Sequence, residues 1–99
     1  MKIQPIDQTL AISDIRELTA GTAADVKDQI RLRFVQGLTG IDLDCTALEF
    51  LDSSGLGVLI SVQKLARERG GSFRLLSPRP TILQVLELTR LHRVFEIIA

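Results

Sequence analysis

The stretch Phe50-Leu-Asp-Ser-Ser-Gly-Leu-Gly-Val58 decides the fold of this chain, because an apolar strand end passes here directly into a helix. Asp52, Ser53 and Ser54 are all good N-cap residues, so they mark the place where the helix begins. Apolar residues then recur at helical spacing as far as Arg69, after which two glycines end the pattern. The sequence therefore predicts a helix over about residues 54–69, with Ser54 as its cap.

Two glycines in the first turn of that helix need an explanation. Gly55 and Gly57 each cost about 1 kcal/mol of helix stability relative to alanine. Their presence predicts that something approaches the backbone closely at this point. Capping alone explains Ser53 and Ser54 less well than capping by Ser54 together with an exposed, modifiable hydroxyl on Ser53. A phosphate is well tolerated at such a helix start.

Working outward from this stretch, apolar periodicity predicts an alternation of strands and helices. The expected elements are a short edge strand around Pro5, a strand over about 9–15, a helix starting near Thr22, a strand over 41–45, the helix over 54–69, a strand over 72–76, a short helix opened by Pro80 and a last strand over 94–98. The first strand should run antiparallel to the second, since no crossover helix separates them. We therefore expect a single α/β domain over residues 1–99, with a mixed, mostly parallel sheet and crossover helices.

The composition excludes several classes of function. The 99 residues carry 12 basic and 12 acidic side chains, and this zero net charge argues against nucleic acid as a partner. No apolar run is long enough to span a bilayer, so direct membrane insertion is not expected. The single cysteine, Cys45, fits a reducing cytoplasm, which is the predicted location. We expect the free protein to be a monomer.

Catalysis and metal binding are not expected either. One cysteine and one histidine cannot build a zinc site, and no cofactor motif is present. Residues 51–55 lack the first glycine of a nucleophile elbow, and His92 is expected at the surface rather than beside Ser53. The other notable side chains are expected to be structural: Phe34, Phe50, Phe73 and Phe95 in the core, Cys45 buried in a strand, and Asp42 and Asp44 solvated on one strand face.

The order of elements and the Asp52-Ser-Ser-Gly-Leu-Gly57 block, followed by Gly70-Gly71 and another strand, resemble STAS domains. The similarity is greatest to bacterial anti-sigma factor antagonists, and it extends over nearly the whole chain. The block is a specific signal in this context, much stronger than an isolated glycine pattern.

The resemblance implies a partner-switching mechanism. The unmodified domain would bind an anti-sigma factor that is also a serine kinase of the histidine-kinase-like ATPase type. Phosphorylation of the first serine, here Ser53, would end the interaction, and a PP2C-like phosphatase would restore it. The expected partner-binding residues are Asp52, Ser53, Ser54, Gly55, Leu56, Gly57 and Leu59, with Thr19 and Thr22 from the preceding loop.

One segment departs from the family pattern. STAS proteins of this kind usually carry Gly-x-Leu/Ile-Asp before the first helix, and Arg16 and Thr19 stand at the glycine and aspartate positions here. Two alternatives therefore stay open beside the anti-sigma role. One is a scaffold subunit that does not switch, for example in a lipid-transporting ABC system, and the other is a partner-switching regulator of a target other than a sigma factor.

Overall fold

The computed structural model describes all residues from 1 to 99. Seven strands, three α-helices and one 3-10 turn follow one another along the chain. They are β1 (Lys2–Ile6), β2 (Thr9–Ser13), β3 (Glu17–Leu18), α1 (Ala23–Arg33), β4 (Gly40–Asp44), β5 (Phe50–Leu51), α2 (Ser53–Glu68), β6 (Phe73–Leu76), α3 (Pro80–Leu88), the 3-10 turn (Leu91–Arg93) and β7 (Glu96–Ile98).

The main sheet has five strands in the order β1-β2-β4-β6-β7. β1 pairs with β2 in the antiparallel sense, and the other three pairs are parallel. Each parallel connection contains a helix, as crossover connections between parallel strands require. The predicted α/β class, the mixed sheet and the antiparallel first strand are confirmed.

Strand alternation determines which face of the sheet is covered. Along β2, β4 and β6 every second residue is buried, and these residues join one core cluster with the inner faces of all three helices. The opposite face of the sheet is only half-buried. Asp42 lies on that face and was expected to be solvated, but its carboxylate instead accepts two hydrogen bonds from the guanidinium of Arg74, at 2.8 and 2.7 Å. The neighbouring strand supplies a partner that the pattern of β4 alone does not reveal.

A second, two-stranded sheet positions the predicted site. β3 runs parallel to β5, with Glu17 opposite Phe50 and Leu18 opposite Leu51. The pairing begins one residue earlier, since the backbone N–H of Glu49 donates to the carbonyl oxygen of Arg16 at 2.8 Å. This small sheet was not expected from the sequence. It aligns the segment before α1 with the segment that leads into α2.

Two side chains do not lie where they were predicted. Phe50 was expected in the core, yet it is 53% exposed because β5 lies outside the main sheet. His92 was expected at the surface, but it is half-buried in the 3-10 turn and its Nδ1 atom is buried without a hydrogen-bond partner. The other three phenylalanines and Cys45 belong to the core as predicted. No helix in the protein has the length and apolar character needed to cross a membrane.

Candidate functional site

The candidate site is the serine loop, residues 52–57, which includes the first turn of α2. Asp52 is the N-cap of that helix, and its Oδ1 atom accepts a hydrogen bond from the backbone N–H of Gly55 at 3.0 Å. The prediction that Ser54 caps the helix is wrong. The helix begins one residue earlier than expected, at Ser53, so the side chain in capping position is that of Asp52.

The second oxygen of Asp52 joins the serine loop to the segment before α1. Its Oδ2 atom accepts a hydrogen bond from the backbone N–H of Ala20 at 2.9 Å, across 32 positions of sequence. The N–H groups of Gly55 and Ala20 stabilise the charged form and hold the pKa of Asp52 below its ordinary value. The ionised carboxylate therefore bridges two loops at neutral pH.

The two glycines of the serine loop differ in what surrounds them. Gly55 is buried, and a Cβ atom at this position would overlap the carbonyl oxygen of Leu18. The predicted close approach to the backbone is thus present, and the approaching group is the protein's own β3 strand. Gly57 is exposed, with no other group within 4 Å of an added Cβ. Gly57 therefore leaves an open space at the surface, whereas Gly55 allows another part of the protein to pack against the helix.

Both serine hydroxyls of the loop point to the exterior. Ser53 is the first residue of α2 and Ser54 the second, and both are exposed. Neither hydroxyl makes a hydrogen bond within the protein, because the helix is capped by Asp52. Both hydroxyls are therefore free to react with a group from outside. A group attached to Ser53 would lie at the positive end of the helix dipole.

The neighbouring segment, residues 16–22, is called the Thr19 loop here. Thr22 is the N-cap of α1 but makes no side-chain cap bond; its hydroxyl donates to the carbonyl oxygen of Glu17 and accepts from the N–H of Thr19, each at 3.0 Å. The N–H of Ala23 is instead satisfied by the carbonyl oxygen of Thr19 at 2.7 Å. No threonine hydroxyl caps α1, because the hydroxyls of Thr19 and Thr22 both form hydrogen bonds within the loop.

A carboxylate is present in the Thr19 loop although residue 19 is not an aspartate. The hydroxyl of Thr19 donates to the Oε1 atom of Glu17 at 2.9 Å. The Glu17 carboxylate therefore places a negative charge beside Thr19, although residue 19 itself is neutral.

The structure brings the predicted partner-binding residues together but exposes only some of them. Ser53, Ser54 and Gly57 are exposed, and Thr19, Thr22, Asp52 and Leu56 are half-buried. Gly55 and Leu59 are buried beneath this surface. The expectation that these two residues contact a partner directly needs correction, since they support the exposed residues by packing under them.

Residues that sequence reasoning missed extend the surface toward α3. A shallow groove of about 330 Å³ adjoins the serine loop, and Phe50 and Asp52 on one side face Ile82 and Val85 of α3 on the other. The exposure of Phe50 could not be inferred, because an aromatic residue at the end of an apolar run is usually buried. Ala20 contributes only its backbone N–H and so leaves no signal in the sequence.

The site presents an exposed serine hydroxyl at the start of a helix. No set of three or more histidine, cysteine, aspartate or glutamate side chains is arranged to hold a metal ion. Both carboxylate oxygens of Asp52 are engaged by backbone N–H groups. The geometry suits a serine that is presented at a rigid surface.

Known proteins share both this sequence and this fold. A Thermotoga maritima protein named as a candidate anti-sigma factor antagonist is 31% identical over 93% of this chain and 82% of its own. The anti-sigma-B factor antagonist of Listeria monocytogenes is 30% identical over 82% of this chain and 71% of its own. The solved anti-sigma factor antagonist SpoIIAA, in its unphosphorylated form, has the same fold, with a TM-score of 0.82 at 23% identity over 99% of this chain and 87% of its own.

The family model gives the same result over the whole length. The model of the STAS domain matches residues 1–99, which include the main sheet, both loops of the candidate site and all three helices. The chain belongs to the STAS domain family.

Proposed function

We propose that this protein is an anti-sigma factor antagonist of a bacterial partner-switching pathway. In its unmodified form it binds an anti-sigma factor that is also a serine kinase, and so frees a sigma factor. The kinase phosphorylates Ser53, which ends the complex, and a PP2C-like phosphatase reverses the modification. The protein acts in the cytoplasm and is a monomer when free.

One observation carries the assignment of the serine. Ser53 is the first residue of α2, exposed and without a hydrogen bond of its side chain, while Asp52 beside it fixes the loop through two backbone contacts. A kinase can therefore reach the hydroxyl without unfolding the loop. The names of two relatives, both anti-sigma factor antagonists, support the choice of partner.

Phosphorylation at this position would change the surface without destroying the fold. A phosphoserine adds about −1.5 to −2 charges, which the positive end of a helix tolerates. The same charge beside the Asp52 carboxylate opposes any partner surface that was complementary to a neutral hydroxyl. A penalty of about 3 kcal/mol in the complex weakens binding about a hundredfold.

The test mixes the protein with the proposed partner, an anti-sigma factor that is also a serine kinase, in the presence of ATP and Mg²⁺, and locates the phosphate by mass spectrometry. Wild type should take one phosphate, on Ser53. Ser53→Ala should take none and yet bind the kinase as wild type does, because a methyl group keeps the neutral surface. Ser54→Ala is the matched control and should be phosphorylated at Ser53.

A second measurement separates charge from shape. Calorimetric titration should show weaker binding for Ser53→Asp than for wild type, and weaker binding still for the phosphorylated protein, which carries more charge and a larger group. Phosphate on Ser54, Thr19 or Thr22 with Ser53 unmodified would contradict the residue assignment. Binding to ABC transporter subunits without any phosphorylation would favour the scaffold role instead.

A further inference from the structure

A groove between α1 and α2 begins at the serine loop and runs along both helices. Its first part, of about 370 Å³, is lined by Ser54 and Gly57 together with Lys27 of α1. Its second part, of about 250 Å³, shares Lys27 and Ser61 with the first and adds Arg31 and Lys64. The two parts are therefore continuous.

The groove is basic, and its cations have no partners within the protein. Lys27, Arg31 and Lys64 take part in none of the four ion pairs of the protein. Glu68 at the far end is the one acidic residue of the lining, so the groove carries a net positive charge in a protein whose net charge is zero.

The cations of the groove lie close to one another. Lys27 and Arg31 are one turn apart on α1, a spacing at which like charges repel. Lys64 faces them across the groove from α2. Glu68 offsets only one of the three positive charges, so the groove is complementary to an anionic ligand.

We propose that this α1–α2 groove binds an acidic segment of the partner protein that docks on the serine loop. The inference rests on the proposed function for the identity of the partner, and on the groove itself for the chemistry. From Ser54 to Glu68 the groove follows 15 residues of α2, a length of about 21 Å at a rise of 1.5 Å per residue. An extended acidic segment of about six residues fits this length.

The groove can be tested with a defined probe, fluorescein-labelled hexaglutamate, by fluorescence anisotropy. Lys27→Glu and Lys64→Glu should each weaken binding about threefold or more, and the double variant at least about tenfold, since each exposed pair contributes modestly. Arg93→Glu makes the same change of charge in the 3-10 turn, outside the groove, and should alter the affinity less than about twofold. Glu68→Gln should strengthen binding.

The cognate kinase provides the second measurement. The Lys27→Glu/Lys64→Glu variant should bind the kinase at least about tenfold more weakly than wild type, and the loss should shrink in about 0.5 M salt, where exposed charges are screened. Equal binding of this variant and wild type would overturn the docking inference and leave the proposed function standing. Absence of binding by wild type would contradict the proposed function, and the hexaglutamate titration then decides on the groove alone.

Two outcomes of the probe titration count against the groove. Hexaglutamate binding that is absent, or unaffected by the charge reversals, would overturn the inference. Tighter binding of a single-stranded oligonucleotide through the same lysines would assign the groove to nucleic acid instead. Circular dichroism of each variant confirms that these exposed substitutions leave the fold intact.

Discussion

At the scale of single residues, Asp52 has the largest structural role in the site, because its two oxygens serve two loops. Asp52→Asn keeps one acceptor oxygen but replaces the other with an N–H₂ group, so only one of the contacts to Gly55 and Ala20 can remain. We expect this variant to unfold at a lower temperature than wild type at pH 7.

The pH dependence of this difference has a definite sign. The pKa of Asp52 is lowered in the folded state, so its contribution is complete above the unfolded value, about pH 4, and is lost as pH falls through the folded value. The gap between wild type and Asp52→Asn should therefore close in acid. Thermal melts of both proteins from about pH 7 down to about pH 2 measure this difference in unfolding temperature. A difference that stays constant over this range would show that the charge of Asp52 does not contribute to stability.

Thr19 provides the second test at this scale. Thr19→Asp removes the hydroxyl that donates to Glu17 and sets two carboxylates against each other. We expect a loss of stability within about 1 kcal/mol, because the site is near the surface, together with a change in affinity for the partner that diminishes with added salt. Thr19→Asn, similar in size and uncharged, is the control. Equal affinities for both variants at low and high salt would place this loop outside the interface.

At the scale of elements, the two glycines of α2 predict opposite results from the same substitution. Gly55→Ala must displace the backbone of Leu18, so it should strongly destabilise the protein and separate β3 from α2. Gly57→Ala meets no other group and should stabilise the helix by about 0.5–1 kcal/mol. Denaturant unfolding of the two variants measures the change in the free energy of unfolding for each. Equal changes in the two variants would contradict the close approach of β3 to Gly55.

Gly57→Ala also separates stability from binding. The added methyl group fills open surface in the centre of the proposed docking face, so the partner should bind more weakly although the free protein is more stable. An unchanged affinity would show that the partner leaves this turn uncovered.

The elements also show how far sequence reasoning reaches. The alternation of apolar and polar residues identified β2, β4 and β6. The helical spacing of apolar residues identified both ends of α2 to within one residue. β3 and β5 were missed, since two residues are too few to show a period. The cap was assigned to Ser54 because three good cap residues follow one another, and only the hydrogen bond from Gly55 identifies Asp52. The contact between Asp52 and Ala20 spans 32 positions and involves a backbone N–H, which no sequence pattern records.

At the scale of the whole molecule, Cys45 reports on unfolding. It is 1% exposed, and burial, followed by the charge of Asp44, raises the pKa of its thiol from 9.0 to about 12. The thiolate fraction near pH 8 is therefore far lower than for a cysteine in an unfolded chain. A thiol reagent should label the folded protein only as fast as it opens, and fully in denaturant. Rapid labelling under native conditions would contradict the burial of Cys45, which follows β4 directly.

The bridge from Asp52 to Ala20 has a consequence for how a signal is read. The surface around Ser53 is assembled from two stretches of chain that meet only in the finished fold, so a synthetic peptide spanning residues 50–58 lacks half of it. A kinase that contacts both stretches would therefore phosphorylate the folded protein in preference to unfolded or truncated copies. Phosphorylation at Ser53 would then depend on the integrity of the whole domain rather than on the presence of a short motif.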